Sequence, residues 1–385
     1  MLSLSGAIRA RMQSAVDTGV CSAAAFALAR TDGSVHTVAA GRNSRIRQRR
    51  EACRSWCEPA PGAPIDDRAP FDLASLTKPL CTTTLLAQAV GCGGLDLATP
   101  LGACLTDAAD QSIGNVQLRH LLAHTSGWPA WIDFFAATAA LADPLQRAAE
   151  VRRQVLATPI VRQPGSAAVY SDLGFLALGW VLEAAAGQSL DQLFAHHVAA
   201  PLGASLVFAP LSQPTLTAAV ATEIWAPRCG DGRPLQGIVH DDNCAALGGI
   251  AGHAGLFGSA TDVGHWAAAW LGGLRGGANP LRLDTSLIRQ WTTTPACTGS
   301  SWRLGFDTPT PPGSTAGDCA PADTVGHLGF TGTSIWLAPS MDVALVLLTN
   351  RVHPSRDDNS GIKRLRNELH DLAWSALRAA APWSS

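Results

Sequence analysis

Phe71-Asp72-Leu73-Ala74-Ser75-Leu76-Thr77-Lys78-Pro79 sets a serine and a lysine three residues apart at the head of an apolar run, Leu73 to Val90, that reads as a helix. Positions i and i+3 share one helix face, so the Ser75 hydroxyl and the Lys78 amine can meet. The free N–H groups and positive dipole end of a helix start favour negative charge on an attacked oxygen. A lysine with its usual pKa of about 10.4 is a poor base at neutral pH, so catalysis would need burial or a cationic neighbour to lower it. Alone, S-x-x-K is a weak signal that arises often by chance, and its bland reading is a capped helix carrying a surface lysine.

Scarcity sharpens the reading. Lys78 and Lys363 are the only lysines of the chain, and Tyr170 is its only tyrosine. That tyrosine stands in Val169-Tyr170-Ser171-Asp172-Leu173-Gly174-Phe175, after Pro164-Gly165 and just before an apolar helix. Held near Lys78, a phenolate could take the Ser75 proton and return it to a leaving group; the competing reading is a buried core tyrosine. A third stretch, Gly326-His327-Leu328-Gly329-Phe330-Thr331-Gly332-Thr333, leads into a strand through Leu337. Its glycines allow close approach to a backbone whose N–H groups could bind an oxyanion.

Outward from these stretches, residues 3–18 carry Leu4, Ile8, Met12 and Val16 on one helix face. Cys21 to Arg30 and Val35 to Ala40 read as antiparallel strands joined at Asp32-Gly33. An Arg-rich, then Pro-rich segment at 43–68 reads as a surface insertion rather than a phosphate-binding patch, because only Trp56 interleaves with its arginines. Helices are expected around Val116–Ala123, Pro144–Ala157 and Leu173–Ala186, a further one capped by Thr261-Asp262 and running to Leu271, and a closing one over 363–379. Thr333–Leu337 and Val343–Thr349 read as strands. The expected fold class is α+β: an antiparallel sheet built from both chain ends and flanked by helices, with an inserted mainly helical lobe. Residues 1–385 are taken as one catalytic domain, its sheet lobe near 1–68 plus 246–385 and its helical lobe near 69–245, with the site in the cleft between them.

Composition narrows the partners. With 28 basic and 30 acidic residues the formal charge is −2, which supplies no field for nucleic acid or an anionic membrane. No run reaches the ~18 apolar residues of a membrane span. The apolar run Val20–Ala29 follows Asp17 and ends at a turn, unlike a leader, so a cytoplasmic location is expected, with secretion left open. The 10 cysteines are scattered, as in a reducing compartment. His120 and His124 have the spacing of two zinc ligands but lack a third nearby, so no metal and no cofactor is expected. Gly249, Gly252, Gly255 and Gly258 match no nucleotide loop, and the absence of a G-x-S-x-G elbow argues against an α/β-hydrolase. His240, Asp241, Asp242, Asn243 and His253 read either as cleft residues or as loop hydrogen-bonders, and Trp128 and Trp131 as core or rim packing. The expected partner is a small-molecule or peptide substrate, and nothing in the sequence speaks to oligomeric state.

The order S-x-x-K, Y-S-D, H-x-G resembles the superfamily of class C β-lactamases, penicillin-binding proteins and family VIII esterases, which implies a β-lactamase/transpeptidase-like fold. Leu118-Arg119-His120-Leu121-Leu122-Ala123-His124-Thr125-Ser126-Gly127, Gly252-His253-Ala254-Gly255-Leu256-Phe257 and Gly329-Phe330-Thr331-Gly332-Thr333-Ser334 extend the resemblance over nearly the whole chain outside the insertion. It implies an acyl-enzyme on Ser75, acid and base work shared by Lys78 and Tyr170, and oxyanion donors at the Ser75 and Phe330 N–H groups, with Gly329, His327 and Asp172 at the substrate. Two departures shift the substrate. Asp172 stands where the β-lactamases have Asn and could suit a substrate ammonium or N–H; His327 replaces a Lys, losing fixed positive charge for a substrate carboxylate at neutral pH. The expected activity is hydrolysis of an ester or amide, as by a carboxylesterase or a peptidase on D-amino-acid or cell-wall-derived peptides. A penicillin-binding protein or weak β-lactamase is the first alternative, a catalytically silent binding protein the second.

Overall fold

The computed structural model describes residues 3–44, 62–230, 232–277 and 279–379. In chain order its strands are β1 (Ala23–Ala29), β2 (Val35–Gly41), β3 (Phe71–Asp72), β4 (Val207–Phe208), β5 (Leu256–Gly258), β6 (Val325–Leu328), β7 (Ser334–Ala338) and β8 (Val343–Thr349). Five form an antiparallel sheet in the order β2-β1-β8-β7-β6, so both ends of the chain do supply one sheet; β3-β5-β4 form a second, small one.

Strand β1 lies inside this sheet and is buried along its whole length. Its period-2 alternation divides two cores: Ala23, Ala25, Ala27 and Ala29 face one, Ala24, Phe26 and Leu28 the other. On the second face the helices Leu4–Asp17 and Ser360–Arg378 bring Ile8, Met12, Leu365, Leu369 and Trp374 against Phe26. The alanine face meets the helix Ala260–Arg275, where short side chains permit close approach. Each large apolar side chain so buried is worth about 1.5–3 kcal/mol.

Between the halves of the sheet the chain is mostly helical, with Pro144–Ala157 and Asp172–Ala186 where the periodicity places them. Some local expectations need correction. The cap of the helix Ala260–Arg275 is Ser259, which shares a capping box with Asp262, so Thr261 lies inside the helix. The helix Thr285–Thr293, capped by Asp284, was not anticipated. Leu73–Val90 is not one helix: a 3₁₀ turn at Ala74–Leu76 passes into a π-helical stretch at Lys78–Thr83 before the α-helix Thr84–Gly91. Pro79 accounts for the break, since it has no N–H to give and its ring would strike the Ser75 carbonyl in a regular α-helix.

The arginines at 45, 47, 49, 50 and 54, with Trp56, Cys53 and Cys57, lie outside the described residues. The neck of that insertion is closed by an Arg42–Pro64 bridge and by the Asn43 N–H donating to the Ala63 carbonyl at 2.9 Å. Among the described residues no single helix is long and apolar enough to cross a membrane.

Candidate active site

Ser75 sits on a turn fastened from several sides. The buried Asp72 carboxylate accepts from the Ala74 N–H at 2.8 Å and from the His240 N–H at 2.6 Å. Ala74, just before Ser75, takes a left-handed φ of +48°, a conformation costly for a residue with a Cβ. Thr77 Oγ1 donates to the Ala74 carbonyl at 2.7 Å and accepts from the Leu256 N–H at 3.2 Å, tying the turn to β5. From the other side, Thr331 Oγ1 and Thr333 Oγ1 donate to the Asp72 and Leu73 carbonyls at 2.8 and 3.1 Å. Asp72 was quoted in the sequence without a role; only the fold shows its carboxylate gripping the residue before the serine.

Lys78 is fully buried. Its Nζ donates to Ser75 Oγ at 3.0 Å, to Asp172 Oδ1 at 2.7 Å and to the His253 carbonyl at 3.2 Å. An ammonium has three N–H bonds, and all three are used. Burial works against the charge, but Asp172 and Tyr170 outweigh it and hold the Lys78 pKa above its ordinary value. The condition under which Lys78 alone would serve as the base, a lowered pKa, is therefore not met in the resting site. Asp172 lines the cleft, with one carboxylate oxygen, Oδ1, paired with Lys78.

Tyr170 lies beside them, with Lys78 Nζ 4.9 Å from its ring centroid. Burial pushes its phenol above the ordinary value, while Lys78 and Ser75 pull the other way. The loop bearing it hangs on the His124–Pro129 segment: the Ser171 N–H donates to His124 Nδ1 at 3.1 Å and Ser171 Oγ to the Pro129 carbonyl at 2.7 Å. Burial, reinforced by Lys78 and His327, drives the His124 pKa well down, so the ring is a neutral acceptor. His120 turns instead to Thr125 Oγ1 at 3.0 Å, so the two histidines do not converge as ligands. His124 also packs on Tyr170 and Trp302, at 4.6 and 4.5 Å between centroids.

These groups open into a cleft of about 580 Å³, within the usual range for small-molecule sites. His327 lines it from β6, and Gly329–Thr333 is the turn from β6 to β7 rather than strand. Burial, with the Lys78 charge, pushes the His327 pKa down to about 3, so it is neutral as expected. Asp241 and Asp242 face the cleft, whereas Asn243 ties Ile132 and Phe135 together. Trp128 is core and Trp131 rim; Trp131 and Phe330, each 51% exposed, flank the mouth.

The opposite wall carries Lys363, marked in the sequence only by the scarcity of lysine, and three cations that sequence reading passed over, Arg351, Arg356 and Arg366. Arg356 pairs with Glu223. Arg351 and Arg366 have no carboxylate partner at ion-pair distance among the described residues. Arg366 Nη2 donates to the Gly329 and Thr333 carbonyls at 2.8 and 2.6 Å, and Arg351 Nε to the Phe330 carbonyl at 2.8 Å, so both clamp the 329–333 turn. Burial, with the like charge of Arg351, lowers the Arg366 pKa to about 9. In so arginine-rich a chain nothing local marked these two out.

Asp172, Asp241 and His253 present ligand atoms within 4.8 Å of one another, a grouping able to hold a cation. The Lys78 ammonium already supplies positive charge there, bonded to Asp172 and to the His253 carbonyl.

Comparison with known proteins agrees with this architecture. The family model described as Beta-lactamase matches residues 8–369. A provisionally named D-alanyl-D-alanine carboxypeptidase of Escherichia coli O157:H7 is 30% identical over 305 residues, covering 74% of this chain and 69% of that one. Simvastatin synthase (LovD) from Aspergillus terreus, in its LovD6 mutant form, superposes with a TM-score of 0.71 at 18% identity, over 98% of this chain and 96% of its own. EstCE1, a hydrolase with promiscuous acyltransferase activity, gives 0.69 at 22% identity over 96% and 98%. With that family model matching nearly the whole chain, the chain belongs to the Beta-lactamase family and is a hydrolase of the serine type.

Proposed function

We propose that the chain is a peptidase of carboxypeptidase type that forms an acyl-enzyme on Ser75 and acts on D-amino-acid peptides such as those of cell-wall origin. The observation carrying this reading is the 3.0 Å contact between Ser75 Oγ and Lys78 Nζ, in a cleft whose far wall holds two guanidiniums without a carboxylate partner. A substrate carboxylate suits that wall, since charge-assisted pairs with Arg are strong and directional. The wall does the work for which His327, being neutral, is unsuited. The name of the Escherichia coli relative points the same way.

Ser75 Oγ attacks the scissile carbonyl, and the N–H groups of Ser75 and Phe330 take the developing oxyanion. Tyr170, a neutral phenol at rest, gives its proton to the leaving amine. Water then attacks the ester and frees the acyl group, restoring Ser75. The exposed Trp131 and Phe330 at the mouth favour a second substrate class, esters of apolar acyl groups, on the same machinery.

The test uses a peptide ending in D-Ala-D-Ala and the same peptide with an amidated C-terminus. Release of the last residue should be about 10- to 100-fold faster from the free acid, the worth of one charge-assisted bond. A fluorophosphonate probe should label Ser75 and spare Ser75→Ala. A folded wild-type protein that the probe leaves unlabelled would falsify the proposal, and equal rates on acid and amide would remove the role given to the arginine wall.

A further inference from the structure

At rest the site holds an ammonium and a neutral phenol, two acids next to the serine. With all three Lys78 N–H bonds donated, that nitrogen has no lone pair to accept the Ser75 proton. The nearest base in contact with Lys78 is the carboxylate of Asp172, 2.7 Å away.

Resting on the reading of Ser75 as nucleophile, we infer that Asp172 is the proton acceptor behind Lys78, so that the Ser75 proton is taken up by moving one proton from Lys78 to Asp172. An Nζ–H bond of Lys78 breaks as an O–H bond forms on Asp172, which leaves Asp172 a neutral acid. In the same transition state the lone pair so freed takes the Oγ proton while Oγ bonds to the substrate carbonyl, whose π pair becomes a lone pair of the oxyanion. On collapse the C–N bond breaks and Tyr170 protonates the leaving nitrogen. Lys78 gives a proton to the Tyr170 oxygen, and the remaining neutral amine and acid reform the ion pair. The proton lost by Ser75 ends on the leaving group, and no other co-reactant is needed.

The surroundings favour such a transfer. Lys78 is fully buried and the Asp172 side chain only 15% exposed, so substrate covering the cleft removes water from both partners. Desolvation penalises an ion pair against its neutral form. Other titratable groups face the pair. Tyr170 reaches it from its loop and His327 from β6. His124 comes from the segment after the helix Leu118–Leu122. Asp241 and His253, bonded to one another at 2.9 Å, close the inner side. Asp241 is engaged by His253 and by the Cys244 N–H at 2.7 Å, which leaves Asp172 as the carboxylate bonded to Lys78.

The decisive measurement is the rate of fluorophosphonate labelling from pH 5 to 10 in Asp172→Asn, with Asp172→Glu beside it. Loss of a base of this kind costs about 10²- to 10⁴-fold. We expect a loss of that size toward pH 5 that shrinks tenfold per pH unit as the pH rises, because without Asp172 burial favours the neutral amine and simple titration frees the Lys78 lone pair in place of the relay. Asp172→Glu should keep the wild-type profile at reduced rate. A loss of equal size at every pH in Asp172→Asn would assign Asp172 a structural role and overturn the relay, as would a loss below threefold. Should Asp172→Asn not fold, wild type alone decides: labelling rates in H2O/D2O mixtures curve if two protons move together, and a straight line refutes the relay. Ser75→Ala separates the two readings, because labelling that survives it overturns the nucleophile assignment itself.

Discussion

Replacing Asp72 by alanine tests whether the serine turn is held under tension. In the native turn one buried carboxylate satisfies two backbone donors, the N–H groups of Ala74 and His240 at 2.8 and 2.6 Å. Removing it strands both, and each orphaned buried donor costs about 1–3 kcal/mol. Part of this is returned, because burial makes the Asp72 carboxylate costly to keep charged, which shows in its raised pKa. A net loss of about 3 kcal/mol is therefore expected in urea unfolding. The local effect is sharper. Ala74 holds its left-handed φ at a cost of about 1–2 kcal/mol, and without Asp72 it can relax and carry Ser75 with it. A displacement of about 1 Å lowers rates roughly 100-fold, so fluorophosphonate labelling should slow by that order even where the protein remains folded. Asp72→Asn, which keeps one acceptor but turns an NH2 toward the other donor, should fall between. If Asp72→Ala unfolds within about 0.5 kcal/mol of wild type and labels at an unchanged rate, the account of the turn is wrong.

Two further predictions concern the turn at 329–333 and acid stability. A Cβ at Gly329 would lie 2.0 Å from Thr333 Oγ1 and 2.7 Å from the Leu73 carbonyl oxygen, so Gly329→Ala should cost about 1–3 kcal/mol and slow labelling; differential scanning fluorimetry with kinetics checks both, and an unchanged Tm contradicts the packing. His370 is buried, which drives its pKa from 6.5 down to about 4. The fold thus binds fewer protons there than the unfolded chain, so its contribution is complete above pH 6.5 and is lost as pH falls toward 4. That amounts to about 3 kcal/mol, and His370→Gln should flatten this part of the stability–pH curve; an unchanged curve would show that other groups set it.

The features that sequence made legible are those with a local or periodic signature. The apolar run Cys21–Arg30, broken at Asp32-Gly33, and the closing helix over 363–379 need only their neighbours to be read. The serine and lysine, three residues apart, are local in the same sense. What escaped is what distance joins. Asp172 lies 94 residues from Lys78, and only the fold shows that it meets the lysine. Arg366 belongs to an amphipathic helix that gave no hint of the turn its guanidinium would hold. The left-handed backbone at Ala74 had no glycine to announce it, because the carboxylate two residues earlier enforces it.

The pairing of β1 with β8 also sets the order in which the protein can assemble. As the chain is synthesised, β1 and β2 emerge together, but the other edge of β1 stays open until Val343–Thr349 arrives, roughly three hundred residues later. Contacts of such sequence separation form slowly, and an apolar strand with an unpaired edge invites pairing with other chains. The helix Ala260–Arg275, which covers the alanine face, is synthesised before that last strand. This predicts a burden on chaperones greatest just before the last strand appears, and relieved at once by its docking.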